Sequence, residues 1–242
     1  MRALSDRLVE WIAASVSHAG LKGAVFGLSG GVDSAVVAAL CKRALGSEAL
    51  GVIMPCGSEE SDEQDARLVA EAFELDVVTV RLDKTFHALT EALPDAARET
   101  VSNLKPRLRM AVLYYWANMR SSMVIGTGNR SEWLAGYFTK HGDGGADLLP
   151  LAGLYKTEVV PLARELGVPE PIVTKPPSAG LWAGQTDEGE MGMSYEVLDS
   201  VFRALEAGKV GSLDPRQVHK VGEMKSRSHH KRVPPQIFEV LR

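Results

Sequence analysis

The sequence has few of the features that would point to a secreted, membrane or nucleic-acid-binding protein. Its 242 residues hold two cysteines, Cys41 and Cys56, in neither C-x-x-C nor metal-ligand spacing, so a disulfide framework and a structural zinc site are excluded as organising features. No apolar run approaches the roughly 20 residues of a membrane span, and Met1 to Gly20 has polar residues interspersed throughout, unlike a basic end followed by an apolar block. The expectation is a cytoplasmic chain without membrane attachment. Charge of one sign is also lacking: 27 Lys and Arg stand against 31 Asp and Glu, a net charge of -4. Phosphate backbones recruit clustered positive charge, so nucleic acid is not an expected partner and any anionic ligand must be gripped locally. Repeats and low-complexity tracts are absent. What remains, 45% hydrophobic and 24% charged residues, is the composition of an ordinary globular protein.

Along the chain, Leu4, Leu8, Trp11, Ile12 and Val16 recur at spacings of three and four, which predicts an opening helix within residues 1–20. Ala24 to Leu28 reads as a buried strand and Ser34 to Leu45 as a helix closed by Gly46. Strand, helix and strand follow at Ala49 to Met54, Ser61 to Phe73 and Asp76 to Leu82. Leu108 to Met119 predicts a long apolar helix, Ser122 to Ile125 a further strand, and Tyr155 to Leu166 a helix stopped by Gly167 and Pro169. This alternation predicts a doubly wound parallel sheet with flanking helices. Residues 21–170 are read as a nucleotide-binding core. Residues 171–242, opening with the Pro- and Gly-punctuated stretch Lys175 to Gly192, are read as a lid followed by C-terminal helices and a tail, all within one domain spanning 1–242.

The chemistry concentrates between the first strand and its helix, where Gly27 and Leu28 lead into Ser29-Gly30-Gly31-Val32-Asp33-Ser34. Glycines let the backbone approach a ligand, free N–H groups at a helix start attract anionic oxygens, and Asp33 suits Mg²⁺. A Walker loop would need a lysine, which Gly27 to Ser34 lacks, and a dinucleotide fingerprint would need an acidic residue closing the second strand, which ends at Met54 and Pro55. The pattern resembles the SGGxDS loop of the PP-loop ATP pyrophosphatases, which cleave ATP between its α- and β-phosphates. That resemblance implies an adenine-nucleotide α-hydrolase-like fold.

Further segments narrow the likeness. GTGNRSE from Gly126, GYFTKHGDGGADLLPL from Gly136, NLKPRLRM from Asn103, KPPSAGLW from Lys175 and HKRVPP from His230 resemble, in order, segments of NAD synthetases. The resemblance implies ATP-dependent amidation of deamido-NAD by ammonia through an acyl adenylate, in a homodimer with substrate at the subunit interface. It implies that Asp33 and Glu132 bind Mg²⁺, that Thr127, Ser178 and Lys156 join the Gly27–Ser34 loop on ATP, and that Arg107, Lys140, Asp147, His230 and Lys231 bind deamido-NAD. Asp33, Lys156 and Asp143 are the expected catalytic residues. The apolar helix Leu108 to Met119 could form the interface or only core, and Tyr137 and Phe138 could stack on a ligand ring or fill the core.

The chain departs from the family pattern at Gly128 and Asn129, where aspartate and histidine are frequent, and at Ala179 and Gly180 in the lid. Two rival readings are another PP-loop amidoligase and a non-catalytic nucleotide-binding module.

Overall fold

In the computed structural model, which describes residues 1–182 and 184–238, four short parallel strands form the sheet. They are β1 (Gly23–Gly27), β2 (Ala49–Ile53), β3 (Asp76–Thr79) and β4 (Ser122–Val124), in the order β3-β2-β1-β4. Ala24 pairs with Ala49 on one side of β1 and with Met123 on the other. The first crossovers run through α2 (Val32–Leu45) and α3 (Glu60–Ala72) toward β3. The chain then returns through α4 (Asp83–Glu91), α5 (Arg98–Ser102) and α6 (Leu104–Arg120) to place β4 beside β1. The strand order therefore reverses at β1, and the loops after β1 and β4 part there to leave a crevice.

Both faces of the central strands β1 and β2 are covered, which is why these two read as continuous apolar runs. Ala24 and Phe26 point into a cluster with α2, α3, α1 (Arg2–His18), α8 (Lys156–Leu166) and α9 (Glu170–Val173). Val25, Leu50, Val52 and Val124 point the other way, toward α4 and α6. A third cluster, away from the sheet, joins α7 (Arg130–Ala135), α10 (Asp187–Met191), α11 (Tyr195–Ala207) and α12 (Pro215–Arg227) through Met191, Tyr195, Leu198, Phe202 and Val221.

Element boundaries differ from the sequence reading at informative places. Helix α2 begins at Val32, so Asp33 and Ser34 lie in its first turn. Strand β3 ends at Thr79 because Leu82 already caps α4, although the Val80 and Leu82 N–H groups still donate to Ile53 and Pro55 carbonyls. Helix α6 starts at Leu104, bringing Lys105, Arg107 and Arg109 onto it. The lid contains the short helix α10. Residue 183 of the lid and residues 239–242 of the expected tail lie outside the described residues. Among the described residues no helix is long and apolar enough to cross a membrane.

Candidate active site

The turn after β1 is braced from within. The Ser29 N–H and hydroxyl both donate to Ser34 Oγ, at 3.3 and 3.1 Å, Ser34 Oγ donates to the Gly31 carbonyl, and Gly31 N–H donates to Ser29 Oγ. The two hydroxyls thus shape the loop. Gly30 has φ of +81°, and a Cβ there would lie 2.7 Å from both the Asp62 carbonyl oxygen and Asp65 Cβ. Only glycine lets the turn lie this close to α3.

Four elements converge on Asp33. Lys156 Nζ, from the first residue of α8, donates to Asp33 Oδ2, and Asn129 Nδ2 donates to Oδ1 at 3.1 Å. Asn129 also caps α7: its Oδ1 accepts the Glu132 N–H at 3.0 Å while Glu132 Oε2 accepts the Asn129 N–H at 3.1 Å. The departure at Asn129 is therefore a bracket tying one expected magnesium ligand to the helix that carries the other. Tyr195, opening α11, donates its hydroxyl to Asp187 Oδ2 at 2.9 Å and lies 3.5 Å from Glu132 Oε1.

This centre holds three carboxylates, Asp33, Glu132 and Asp187, around one lysine. Burial and then the Asp33 charge push the Glu132 carboxyl up to about 8, with Lys156 opposing. Burial likewise raises Asp187. Burial alone would pull Lys156 down, but Asp33 and Glu132 reverse this and hold its ammonium above the ordinary lysine range. Asp187 Oδ1 is buried with no hydrogen-bond partner. Excess negative charge and an orphaned acceptor suit a divalent cation. Among the described residues no three acidic, histidine or cysteine side chains close on one point. Mg²⁺ commonly takes one or two carboxylates and completes its shell with phosphate and water.

The centre lies in a cavity of about 760 Å³. Gly27, Leu28, Ser29, Gly31, Val32 and Ser34 line it, as do Thr127, Lys156 and Ser178. Gly30 does not, being turned against α3. The segment expected to form a lid lines one wall of the cavity and is tethered toward both ends. Lys175 Nζ bridges Asp62 and Asp65 of α3 at 2.9 and 2.5 Å. Lys105 Nζ donates to the Leu181 carbonyl at 2.7 Å. Gln185 Nε2 and the Tyr137 hydroxyl both donate to Glu190. Asp143 lines the cavity, accepts the Thr139 N–H at 2.9 Å, and has its carboxyl raised by the protein crowding it. Phe138 lines the wall stacked on Trp133, ring centres 5.0 Å apart.

The five expected deamido-NAD residues divide. Lys231 lines the cavity, its Nζ donating to the Gly136 and Phe138 carbonyls at 2.7 Å each. Arg107, Lys140, Asp147 and His230 lie outside the lining. Lys140 Nζ donates to the His230 carbonyl at 2.6 Å, Arg107 lies 3.5 Å from the Lys140 carbonyl, and Asp147 accepts from Tyr114 and the Val124 N–H. Arg109, two residues beyond Arg107, does face the cavity, anchored on the Met54 carbonyl and Ser58. Sequence reading passed over Arg109, Asp187 and Tyr195. The only signal for Arg109 was the second basic position of NLKPRLRM; Asp187 and Tyr195 had none apart from the fold.

A parallel sheet that switches direction beside a glycine-serine turn, with carboxylates and a lysine gathered at the start of the first crossover helix, defines a nucleotide-binding enzyme of the PP-loop ATPase fold. Residues 4–235 match the NAD synthase family model. The chain is 48% identical over 238 residues to a protein of Carboxydothermus hydrogenoformans named NH3-dependent NAD+ synthetase, covering 96% of each. It superposes on the NMN synthetase of Francisella tularensis with a TM-score of 0.91 at 37% identity, covering 99% of this chain and 98% of that one. On the NH3-dependent NAD synthetase of Campylobacter jejuni the TM-score is 0.87 at 29% identity, covering 98% of both chains. The chain belongs to the NAD synthase family.

Proposed function

We propose that this chain is a ligase that amidates the nicotinate carboxylate of deamido-NAD with ammonia, consuming ATP and releasing AMP and pyrophosphate. The observation that carries the reading is the meeting of the Ser29–Ser34 turn with Lys156, Asp33 and Glu132 at one end of a cavity, within a family of ATP-dependent amidoligases. Residues 1–242 act as one unit, with 171–242 closing over the core.

The N–H groups of the turn, at the start of α2, receive the β- and γ-phosphates. Asp33 and Glu132 would hold Mg²⁺, which when bound neutralises charge on the triphosphate. Lys156 stabilises the charge that builds on departing pyrophosphate, and Thr127 and Ser178 offer hydroxyls to the nucleotide. The carboxylate of the substrate attacks the α-phosphorus, and ammonia then displaces AMP from the acyl adenylate. Asp143 takes up a proton released as ammonia adds. Excluding water is the work of the lid, since water would hydrolyse the adenylate.

The position of Arg107, Lys140 and His230 outside the cavity supports a homodimer in which these residues reach the distal half of deamido-NAD in the neighbouring site. Helix α6 presents Tyr115 and Met119, 64% and 56% exposed, on the same side as Arg107. Large exposed apolar side chains grouped in this way mark an association surface.

The likeness to an NMN synthetase favours a second acceptor, nicotinate mononucleotide, which bears the same carboxylate without the distal adenylate half. The test is chromatography of products from ATP, magnesium and ammonium with each acceptor in turn. AMP and NAD in equal amounts from deamido-NAD, with no NAD when glutamine replaces ammonium, are expected. ADP as product would overturn the adenylation chemistry, and turnover with the mononucleotide alone would reassign the substrate.

A further inference from the structure

Asp199 is a buried carboxylate, 2% exposed, that the proposed chemistry does not use. It lies on α11, one turn beyond Tyr195 and on the same face, as the spacing of four dictates. Its Oδ1 accepts the hydroxyl of Ser131, and its Oδ2 accepts the Thr157 N–H at 3.1 Å. Ser131 Oγ in turn accepts the Lys156 N–H at 2.9 Å. Ser131 is fully buried and Lys156 is 5% exposed. The first two N–H groups of α8, which have no partner within their own helix, thus terminate on a serine of α7 and an aspartate of α11.

The two residues flanking this junction are those that matter to the phosphate end of the cavity. Ser131 directly precedes Glu132, and Thr157 directly follows Lys156. Asp199 therefore joins the backbone that carries the lysine to the helix that carries the acidic residue, and does so where a carboxylate is favoured by the helix dipole. A lysine side chain is long and flexible, and burial with Asp33 places it only if its own Cα is fixed.

We propose that Asp199 is a positioning residue for the reaction: through Ser131 and the first turn of α8 it sets where the Lys156 ammonium stands relative to Asp33 and Glu132. The inference rests on the proposed role of Lys156 at the phosphates, but its geometric part can be tested apart from that role. Asp199→Asn retains size while removing the charge, and its amide cannot accept from both Ser131 and Thr157. Ser131→Ala breaks the same link by removing one hydroxyl, with a smaller demand on folding.

Two readouts decide the matter. The first is the rate at which Lys156 and Lys105, both buried, are acylated by an amine-specific reagent, followed by peptide mass spectrometry on the full-length chain. Either variant should speed labelling of Lys156 at least fivefold while leaving Lys105 within about twofold. A carboxylate that served only global stability would speed both lysines together, and that result, or an unchanged Lys156, overturns the proposal. The second is steady-state kinetics, where kcat should fall about tenfold or more with the KM for deamido-NAD within about twofold. If Lys156 labelling changes as expected while kcat does not, the positioning of the lysine stands and its role at the phosphates fails. If Asp199→Asn does not fold, Ser131→Ala carries both measurements.

Discussion

At the scale of single residues, the acidic centre makes the fold work against itself. Glu132 titrates at about 8 in the fold against an ordinary 4.5 because it is buried beside Asp33. Between those values the native state keeps a proton that the unfolded chain has lost, so stability falls as pH rises through this window. The thermal midpoint without magnesium should decline from pH 5 to pH 8, and Glu132→Gln should flatten that decline while lowering turnover by about a hundredfold or more, as weakening the proposed site of the Mg²⁺ that offsets transition-state charge would do. Differential scanning fluorimetry across pH checks the first part, and an identical slope in the variant would refute the assignment. Asp33 was legible in the sequence because its motif is contiguous. Asp187 was not, because the charges of Asp33, Glu132 and Lys156 come near it from distant segments, and its own neighbours read as loop.

At the scale of elements, the close approach of the β1–α2 turn to α3 is a packing constraint as much as a binding device. Gly30→Ala would combine a left-handed backbone with a Cβ 2.7 Å from two α3 atoms. A left-handed non-glycine residue costs about 1–3 kcal/mol before the clash is counted. Chemical denaturation should show at least that loss, together with weaker ATP binding as the turn shifts; an unchanged midpoint would mean that the turn and α3 separate freely. The central strands β1 and β2 were readable because burial on both faces leaves an unbroken apolar signature. The start of α6 was not, since Lys105 and Arg107 on its first turns look polar, although Lys105 is buried against the lid. Helix α10 escaped notice because five residues set among glycines carry no usable periodicity.

At the scale of the whole molecule, burial divides the chain into the two faces of the sheet and a third cluster built by α7, α10, α11 and α12. That third cluster supplies Asp187, Tyr195 and Asp199, so the C-terminal helices, which the sequence placed after the lid without giving them a role, furnish a wall of the candidate site. The reason they were hard to read is that their polar residues point inward to one another and to Ser131 and Glu132. Only the assembled fold brings those partners together.

Arg107 is exposed and stands away from the cavity that holds Asp33. In a two-fold dimer with each active centre drawing on both chains, defects in the two residues need not fall on the same centre. Asp33→Asn would disable the cavity of the chain that carries it, whereas Arg107→Ala would disable the neighbour's. Unfolding and refolding the two inactive variants together should then restore activity, because a mixed dimer pairs both lesions in one centre and leaves the other whole. Random association of equal amounts would yield about a quarter of the wild-type centres. Such complementation between two dead alleles would be read in a coupled assay, and its absence in verified mixed dimers would place Arg107 in the service of its own chain.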